Sequence, residues 1–213
     1  MNNTITIKEI ESLCEKHGIK KYTINDDMSI DVDGDVVLTI YWWGALPLNF
    51  NIVNGNFICH NSNLTSLKGA PKEVMGNFDI SRCSLTSLKY GPVVVGGDFN
   101  CMWNKIMSLK SAPKVVGGNY NCSYNNLKTL DGTPNEINGE FNCRRNLLTS
   151  LEGLPSKVKR KVNIDYNRDI KIDALKEIVD QPVFKKINKW ASGRFSDYAE
   201  VQRMYTIHQI INS

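Results

Sequence analysis

The chain has 213 residues, of which 41% are hydrophobic and 23% charged, and its formal net charge is +4. This composition argues against an intrinsically disordered chain, and the longest apolar-leaning run is interrupted by glycine, proline and asparagine, well short of the roughly 20 residues that a membrane-spanning helix needs. The first twelve residues lack the pattern of a secretory signal, so we expect a cytoplasmic protein with reduced cysteines and no contact with a membrane.

The first predicted element is a helix. Thr6 and Glu9 form the sequence pattern of a capping box, which marks a helix start. One face of this helix is apolar and carries Ile7, Ile10, Leu13 and Cys14. Residues 22–24 and 29–32 flank a polar turn and predict a hairpin. We therefore expect residues 1–35 to form an N-terminal cap.

Residues 36–168 repeat with a period of 21. An aromatic residue or valine recurs at Phe57, Phe78, Phe99, Tyr120, Phe141 and Val162, and a proline recurs at Pro71, Pro92, Pro113, Pro134 and Pro155. The unit reads F-x-C-x-x-N-x-L-x-x-L-x-G-x-P-x-x-V-x-G-x, and a weaker copy begins at Val36 with Trp43 in a leucine position. A fixed period of this length is typical of solenoids.

The unit predicts its own local structure. The alternation F-x-C turns the aromatic ring and the thiol to one side of a short strand, and stacked units pair such strands into a parallel sheet. The asparagine is expected to satisfy buried backbone groups as a ladder. Proline and glycine exclude a long helix in the return segment, which is expected to be extended or 3₁₀-like, and the glycine two residues before the Phe is expected to form a bulge.

The first eight positions of the unit reproduce L-x-L-x-x-N-x-L, so the chain resembles leucine-rich-repeat proteins. Its Thr-Ser-Leu-x-Gly-x-Pro and Val-x-Gly-x-Phe-x-Cys segments are similar to small repeat proteins of bacteriophages and to bacterial effectors. This resemblance implies an α+β repeat solenoid, an arc of about seven units with the parallel sheet on its concave face. It also implies a phage-encoded protein that binds, and by binding inhibits, a bacterial host protein such as a component of a defence system.

The composition changes after the last repeat. Three helical patterns cover residues 173–180, 182–192 and 196–212. We expect residues 169–213 to form a helical C-terminal cap over the open end of the stack.

No constellation of residues predicts catalysis, a cofactor or a metal. The repeat cysteines are spaced one per strand and cannot converge on zinc, so a packing role is expected. Asp31, Asp33 and Asp35 surround a glycine, but the spacing does not match a calcium loop. The histidines lie in separate elements with no nucleophile at motif spacing. We expect a protein that is not an enzyme.

The residues that follow the inward Cys or Ile of each unit are the candidate binding site, and we expect them to occupy an outward position of the strands on the concave face of the sheet. Aromatic and arginine side chains dominate interface hot spots, and they recur here where the fold does not require them. The predicted partner-binding residues are Arg82, Met102, Trp103, Tyr124, Arg144, Arg145 and Tyr166. The predicted partner is a protein. A nucleic acid bound by the basic last repeats and a structural role in a virion are the alternatives, and the small total charge disfavours the first.

Overall fold

The computed structural model describes residues 5–38, 44–167, 170, 182, 186 and 187. Helix α1 spans Ile7–Lys16. The Thr6 hydroxyl accepts a hydrogen bond from the Glu9 amide (3.3 Å), and the Glu9 carboxylate accepts one from the Thr6 amide (2.7 Å), so the predicted capping box is confirmed. Ile10 and Cys14 are buried as expected, but Ile7 is 51% exposed and takes no part in the packed face.

The predicted hairpin is also present. Strand β1 (Tyr22–Ile24) pairs antiparallel with β2 (Ile30–Val32). Strand β2 then pairs in parallel with β4 (Phe50–Val53), which belongs to a later turn of the chain. The hairpin therefore adds two strands to the edge of the sheet that contains β4.

A first sheet contains seven short parallel strands, one from each 21-residue unit. They are β3 (Val36–Val37), β5 (Phe57–Ile58), β7 (Phe78–Asp79), β9 (Phe99–Asn100), β11 (Tyr120–Asn121), β13 (Phe141–Asn142) and β15 (Val162–Asn163). Each strand pairs with the equivalent residues of the next unit, as in Phe78 opposite Phe99. The predicted period, strand position and register are confirmed, and the chain is a parallel-strand solenoid.

The return segments form further parallel strands. These are β6 (Glu73–Val74), β8 (Val94–Val95), β10 (Val115–Val116), β12 (Glu136–Ile137) and β14 (Lys157–Val158). Strands β1, β2, β4, β6, β8 and β10 make a second sheet, and β12 pairs with β14 in a separate pair. Of the two predicted conformations for the return segment, the extended one is present.

Stacked aromatic rings fill the core. Phe57 and Phe78 lie with ring centroids 5.3 Å apart, and Phe78 and Phe99 lie 6.1 Å apart and nearly parallel. Tyr120 continues this ring column at 4.9 Å from Phe99, and its buried hydroxyl has no hydrogen-bond partner in the described part of the chain. Apolar burial of this kind is the main stabilising contribution of the fold.

The predicted asparagine ladder is present in the later units. The Asn125 side-chain amide donates to the carbonyls of Cys101 (3.0 Å) and Cys122 (3.1 Å), and its carbonyl accepts from the Ile106 amide (2.9 Å). Equivalent bonds are made by Asn104, Asn146 and Asn167. Each buried amide therefore joins two neighbouring turns.

A second ladder runs along the surface, directly before the first-sheet strands. Side-chain oxygens of Asp35, Asn56, Asn77, Asp98 and Asn119 each accept a hydrogen bond from the backbone amide of the equivalent residue one turn later, at 2.7 to 2.8 Å. The glycine before each of these residues allows the approach, because a Cβ on Gly118 would lie 2.1 Å from the Asp98 carboxylate. The expectation of a bulge at this glycine is wrong. The residue lies at a corner between two strands, where the turns stack too closely for a side chain.

Two expectations lie outside the described residues. These are the three C-terminal helices and the contribution of Trp43 to the first unit. Among the described residues after residue 168, Ile170 and Ile187 are buried, and Ile187 forms an isolated parallel bridge with Val162.

Candidate functional site

Within the described residues, five of the seven turns leave the first sheet through a bend closed by a side-chain hydrogen bond. The outward residue of the strand accepts a bond from the backbone amide two residues later, as Asn121 does from Ser123 (3.2 Å) and Asn142 from Arg144 (3.2 Å). The same bond is made by Asp79, Asn100 and Asn163. Short amide and carboxylate side chains favour such turns. This bend precedes Arg82, Trp103, Tyr124, Arg145 and Tyr166.

The third residue after the outward residue of the strand has a left-handed backbone in six consecutive units. The residues are Asn61 (φ 50°), Arg82 (φ 53°), Trp103 (φ 56°), Tyr124 (φ 56°), Arg145 (φ 51°) and Tyr166 (φ 60°), and we call them the left-handed column. A left-handed conformation costs an L-residue other than glycine roughly 1–2 kcal/mol, and asparagine tolerates it best of the others. Only Asn61 fits that preference. The other five positions carry bulky side chains where the backbone disfavours them.

The side chains of the left-handed column stack on one another. The rings of Trp103 and Tyr124 are 4.1 Å apart between centroids and 14° from parallel. The Arg82 guanidinium carbon lies 5.7 Å from the centroid of the Trp103 ring. At the other end, the Arg145 guanidinium carbon lies 5.4 Å from the Tyr124 ring and 4.4 Å from the Tyr166 ring. Cations and aromatic rings therefore stack along a single row, with the Trp103–Tyr124 pair flanked by an arginine on each side.

Arg144 joins the same row from the preceding position. Its guanidinium carbon lies 5.5 Å from the Tyr124 ring and 5.2 Å from the Tyr166 ring, so two guanidinium groups contact the same two rings. The Nε atom of Arg144 and one carboxylate oxygen of Asp165 are buried without a hydrogen-bond partner in the described part of the chain. Burial raises the pKa of Asp165, and the positive charge of Arg144 partly opposes that rise.

The row is accessible. Trp103 is 47% exposed and Tyr166 is 46% exposed, and Arg82 and Arg145 are also exposed. Met102 is partly buried beside Trp103, and its sulfur accepts a bond from the Asn121 side chain at 3.3 Å. The structure therefore brings all seven sequence-predicted site residues to one surface.

The position of this surface differs from the expectation in one respect. The predicted residues do not occupy the outward strand position of the sheet, which is held by Ile58, Asp79, Asn100, Asn121, Asn142 and Asn163. They lie in the bends beyond the strands, because the strands end after two residues. A 21-residue recurrence of aromatic and arginine residues revealed the row, but nothing in the sequence signalled the left-handed backbone.

The basic run at residues 157–161 forms a different surface. Lys157 makes an ion pair with Glu136, and Lys186 donates to the Lys159 carbonyl at 3.3 Å. A cavity of about 200 Å³ lies here, lined by Glu136, Ile137, Asn138, Ser156, Lys157, Val158, Lys159, Pro182 and Lys186. Part of the positive charge in this segment is thus already neutralised by the protein itself.

The cysteines of the repeat are free thiols in the core. Cys59, Cys101, Cys122 and Cys143 are buried, and Cys83 is half-buried in an asparagine position of the ladder. Burial raises the pKa of Cys59 to about 12 and holds those of Cys122 and Cys143 well above the ordinary value. Within the described ranges, no three His, Cys, Asp or Glu side chains come close enough together to hold a metal ion.

The aspartates considered for calcium have other partners. The Asp31 carboxylate accepts bonds from the Asn51 side chain (2.8 Å) and the Ile52 amide (3.1 Å), and Asp35 accepts two bonds from Asn56. These hydrogen bonds connect neighbouring turns of the solenoid.

No helix in the part of the chain that the structure describes is long and apolar enough to cross a membrane. No protein-family model matches the chain, and neither do curated proteins or solved structures.

Proposed function

We propose that the chain is a non-catalytic protein-binding module that holds its partner on the left-handed column together with Met102 and Arg144. The single observation that carries this proposal is the choice of residues at a strained backbone position. Arg82, Trp103, Tyr124, Arg145 and Tyr166 are bulky and left-handed, and all but the half-buried Tyr124 are exposed, although asparagine or glycine would suit the backbone better. Strain of this kind persists where function selects the side chain.

Two physical features favour binding by this row. Trp, Tyr and Arg are the residues whose truncation costs most at measured interfaces. Their mutual stacking also restricts their rotamers before a partner arrives, which reduces the entropy lost on association.

The wider proposal follows the sequence resemblance. We infer a leucine-rich-repeat solenoid whose helix–hairpin and C-terminal region act as caps. We also infer a phage-encoded protein that acts in the bacterial cytoplasm by binding a host protein. Inhibition of a defence component is the simplest use of such a module, and the resemblance alone supports this step.

The test is affinity capture from a bacterial lysate followed by mass spectrometry, with matched variants. Trp103→Ala and Arg145→Ala are expected to weaken capture of the specific partner at least about tenfold, since central anchors commonly contribute about 2 kcal/mol or more. The controls are Tyr90→Ala and Arg160→Ala. Tyr90 is exposed and left-handed like Trp103 but lies off the column, and Arg160 is an exposed arginine of the last return segment.

Capture that is equal for wild type and both column variants would refute the proposed site. A partner that is lost equally in all four variants would indicate a general effect on folding, and melting temperatures of the four proteins separate that case.

A further inference from the structure

We propose that the left-handed column recognises an acidic, extended polypeptide segment with the pattern acidic–x–apolar–x–acidic. The inference rests on the proposed function, because it specifies the partner of the same surface. It is carried by three observations: the occupied ring faces, the arginines that make no salt bridge among the described residues, and the spacing of the charges.

The faces of the central rings are already occupied. The turn after Trp103 supplies Tyr124, whose ring centroid lies 4.1 Å from that of Trp103. The turn before it supplies Arg82, whose guanidinium carbon lies 5.7 Å from the Trp103 centroid. Tyr124 is in turn covered by Trp103 and contacted by Arg145. Single-stranded nucleic acids bind aromatic platforms by stacking bases on free ring faces. This row offers ring edges instead, which favours a partner that lies across it.

The guanidinium groups make no ion pair among the described residues, and Asp165 is the carboxylate whose pKa responds to one of them, Arg144. Arg82, Arg144 and Arg145 form no salt bridge within the described ranges. The Asp79 carboxylate, in the same turn as Arg82, is engaged by the Ser81 amide (2.9 Å) and the Asn100 side chain (3.2 Å). Arg144 and Arg145 also share two tyrosine rings, so two like charges lie close together. A carboxylate from a partner would relieve that repulsion with charge-assisted hydrogen bonds.

The spacing of the charges sets the length of the segment. Arg82 and Arg145 are three turns apart, and adjacent strands are about 4.8 Å apart, so their backbones are separated by roughly 14 Å. An extended chain rises about 3.4 Å per residue, so residues i and i+4 span the same distance and lie on the same side of the segment. Residue i+2 also lies on that side and comes opposite Trp103 and Tyr124. Carboxylates at i and i+4 with an apolar side chain at i+2 therefore fit the row.

The experiment is a selection from a library of random twelve-residue peptides displayed on an unrelated carrier. Peptides that bind the immobilised wild-type protein are kept after depletion on the Trp103→Ala protein. A parallel depletion on Tyr90→Ala is the matched control. The expected result is enrichment of peptides with Glu or Asp at i and i+4 around an apolar residue. A representative labelled peptide is expected to bind the wild-type protein about tenfold more weakly after Glu→Gln at both positions. The unaltered peptide is expected to bind the Arg82→Gln and Arg145→Gln proteins about tenfold more weakly than it binds the wild-type protein.

The possible outcomes separate this inference from the proposed function. Enriched peptides that depend on Trp103 but are neutral or basic would overturn the acidic partner and leave the binding surface intact. A selection with no Trp103-dependent peptides would overturn both. Trp103-dependent binding of an oligothymidylate of twenty nucleotides, with a steep loss of affinity on adding salt, would replace the protein partner with a nucleic acid.

Discussion

We call the buried residues that recur at the same position of each turn, such as the core phenylalanines, the inward columns. The inward columns and the left-handed column follow the same 21-residue period but differ in which residue types occupy them. Inward, the same type of side chain recurs from turn to turn, as in Phe57, Phe78 and Phe99. In the left-handed column the residue type changes at almost every turn, from Asn61 through arginine to tryptophan. Packing between identical turns requires identical side chains, because each ring must fit the one beneath it. A surface free of that requirement can vary from turn to turn.

The thiols offer the largest effect by which to test the inward columns. Because a thiol must ionise before it reacts, the raised pKa of Cys59 (about 12) implies a thiolate fraction at pH 8 roughly a thousandfold below that of a free thiol. We therefore expect Cys59 to react with iodoacetamide about a thousandfold more slowly in the native protein than in urea, and burial is expected to slow Cys101, Cys122 and Cys143 as well. Mass spectrometry of the labelled peptides measures each site. Prompt native labelling of Cys122 would contradict its place in the core.

The asparagine ladder is the next strongest test. We expect Asn125→Ala to lower the free energy of unfolding by about 3 kcal/mol, because it leaves a buried amide and several carbonyls without partners. Urea denaturation measures the change. The control is Asn126→Ala, one residue along, where the side chain is exposed and the expected change is below about 0.5 kcal/mol. Equal effects of the two substitutions would show that the ladder contributes nothing beyond the backbone pairing.

These inward features were largely predictable from the sequence, and the reason is periodicity. A 21-residue repeat specifies the strand register at every turn once one strand is assigned, and the polar residue in an otherwise apolar unit identifies the ladder. The surface ladder of Asp35, Asn56, Asn77, Asp98 and Asn119 was missed, although its signal is visible in the sequence. Asparagine or aspartate follows the corner glycine in successive units, and a search for recurring polar positions would have found it.

The candidate site was predictable only in part. Recurrence identified Trp103, Tyr124 and the arginines as neighbours, since residues 21 apart are stacked. The left-handed backbone was not predictable, because aromatic residues rarely adopt it and the hydrogen-bonded bend that precedes five of the six residues is visible only in the structure. Sequence rules favour glycine or asparagine there, and five of the six residues depart from those rules.

One inward position departs from its column and gives a smaller test. Tyr120 occupies a ring column otherwise formed by phenylalanine, and its buried hydroxyl has no partner in the described part of the chain. We expect Tyr120→Phe to raise the free energy of unfolding by about 1 kcal/mol, because an unsatisfied buried hydroxyl is removed. The reciprocal change, Phe99→Tyr, is expected to lower it by a similar amount. A loss of stability in Tyr120→Phe would mean that the hydroxyl has a favourable environment after all.

The left-handed column is expected to give the smallest effect on stability, and this result bears most directly on the contrast between the columns. Trp103→Asn removes the stacking on Tyr124 and the contact with Arg82, a loss of about 1 kcal/mol. It also places a residue that tolerates the left-handed backbone where Trp103 is strained, a gain of similar size, roughly 1 kcal/mol. The free energy of unfolding should therefore change by less than about 0.5 kcal/mol.

Asn61 provides the reciprocal test at the first position of the left-handed column. Asn61→Trp replaces a residue that tolerates the left-handed backbone with one that does not, so urea denaturation is expected to show a loss of about 1 kcal/mol. If Trp103→Asn instead lost more than about 2 kcal/mol, the tryptophan would be supporting the fold like an inward residue. The variation along the column would then need an explanation in packing, because a partner would no longer be required to account for it.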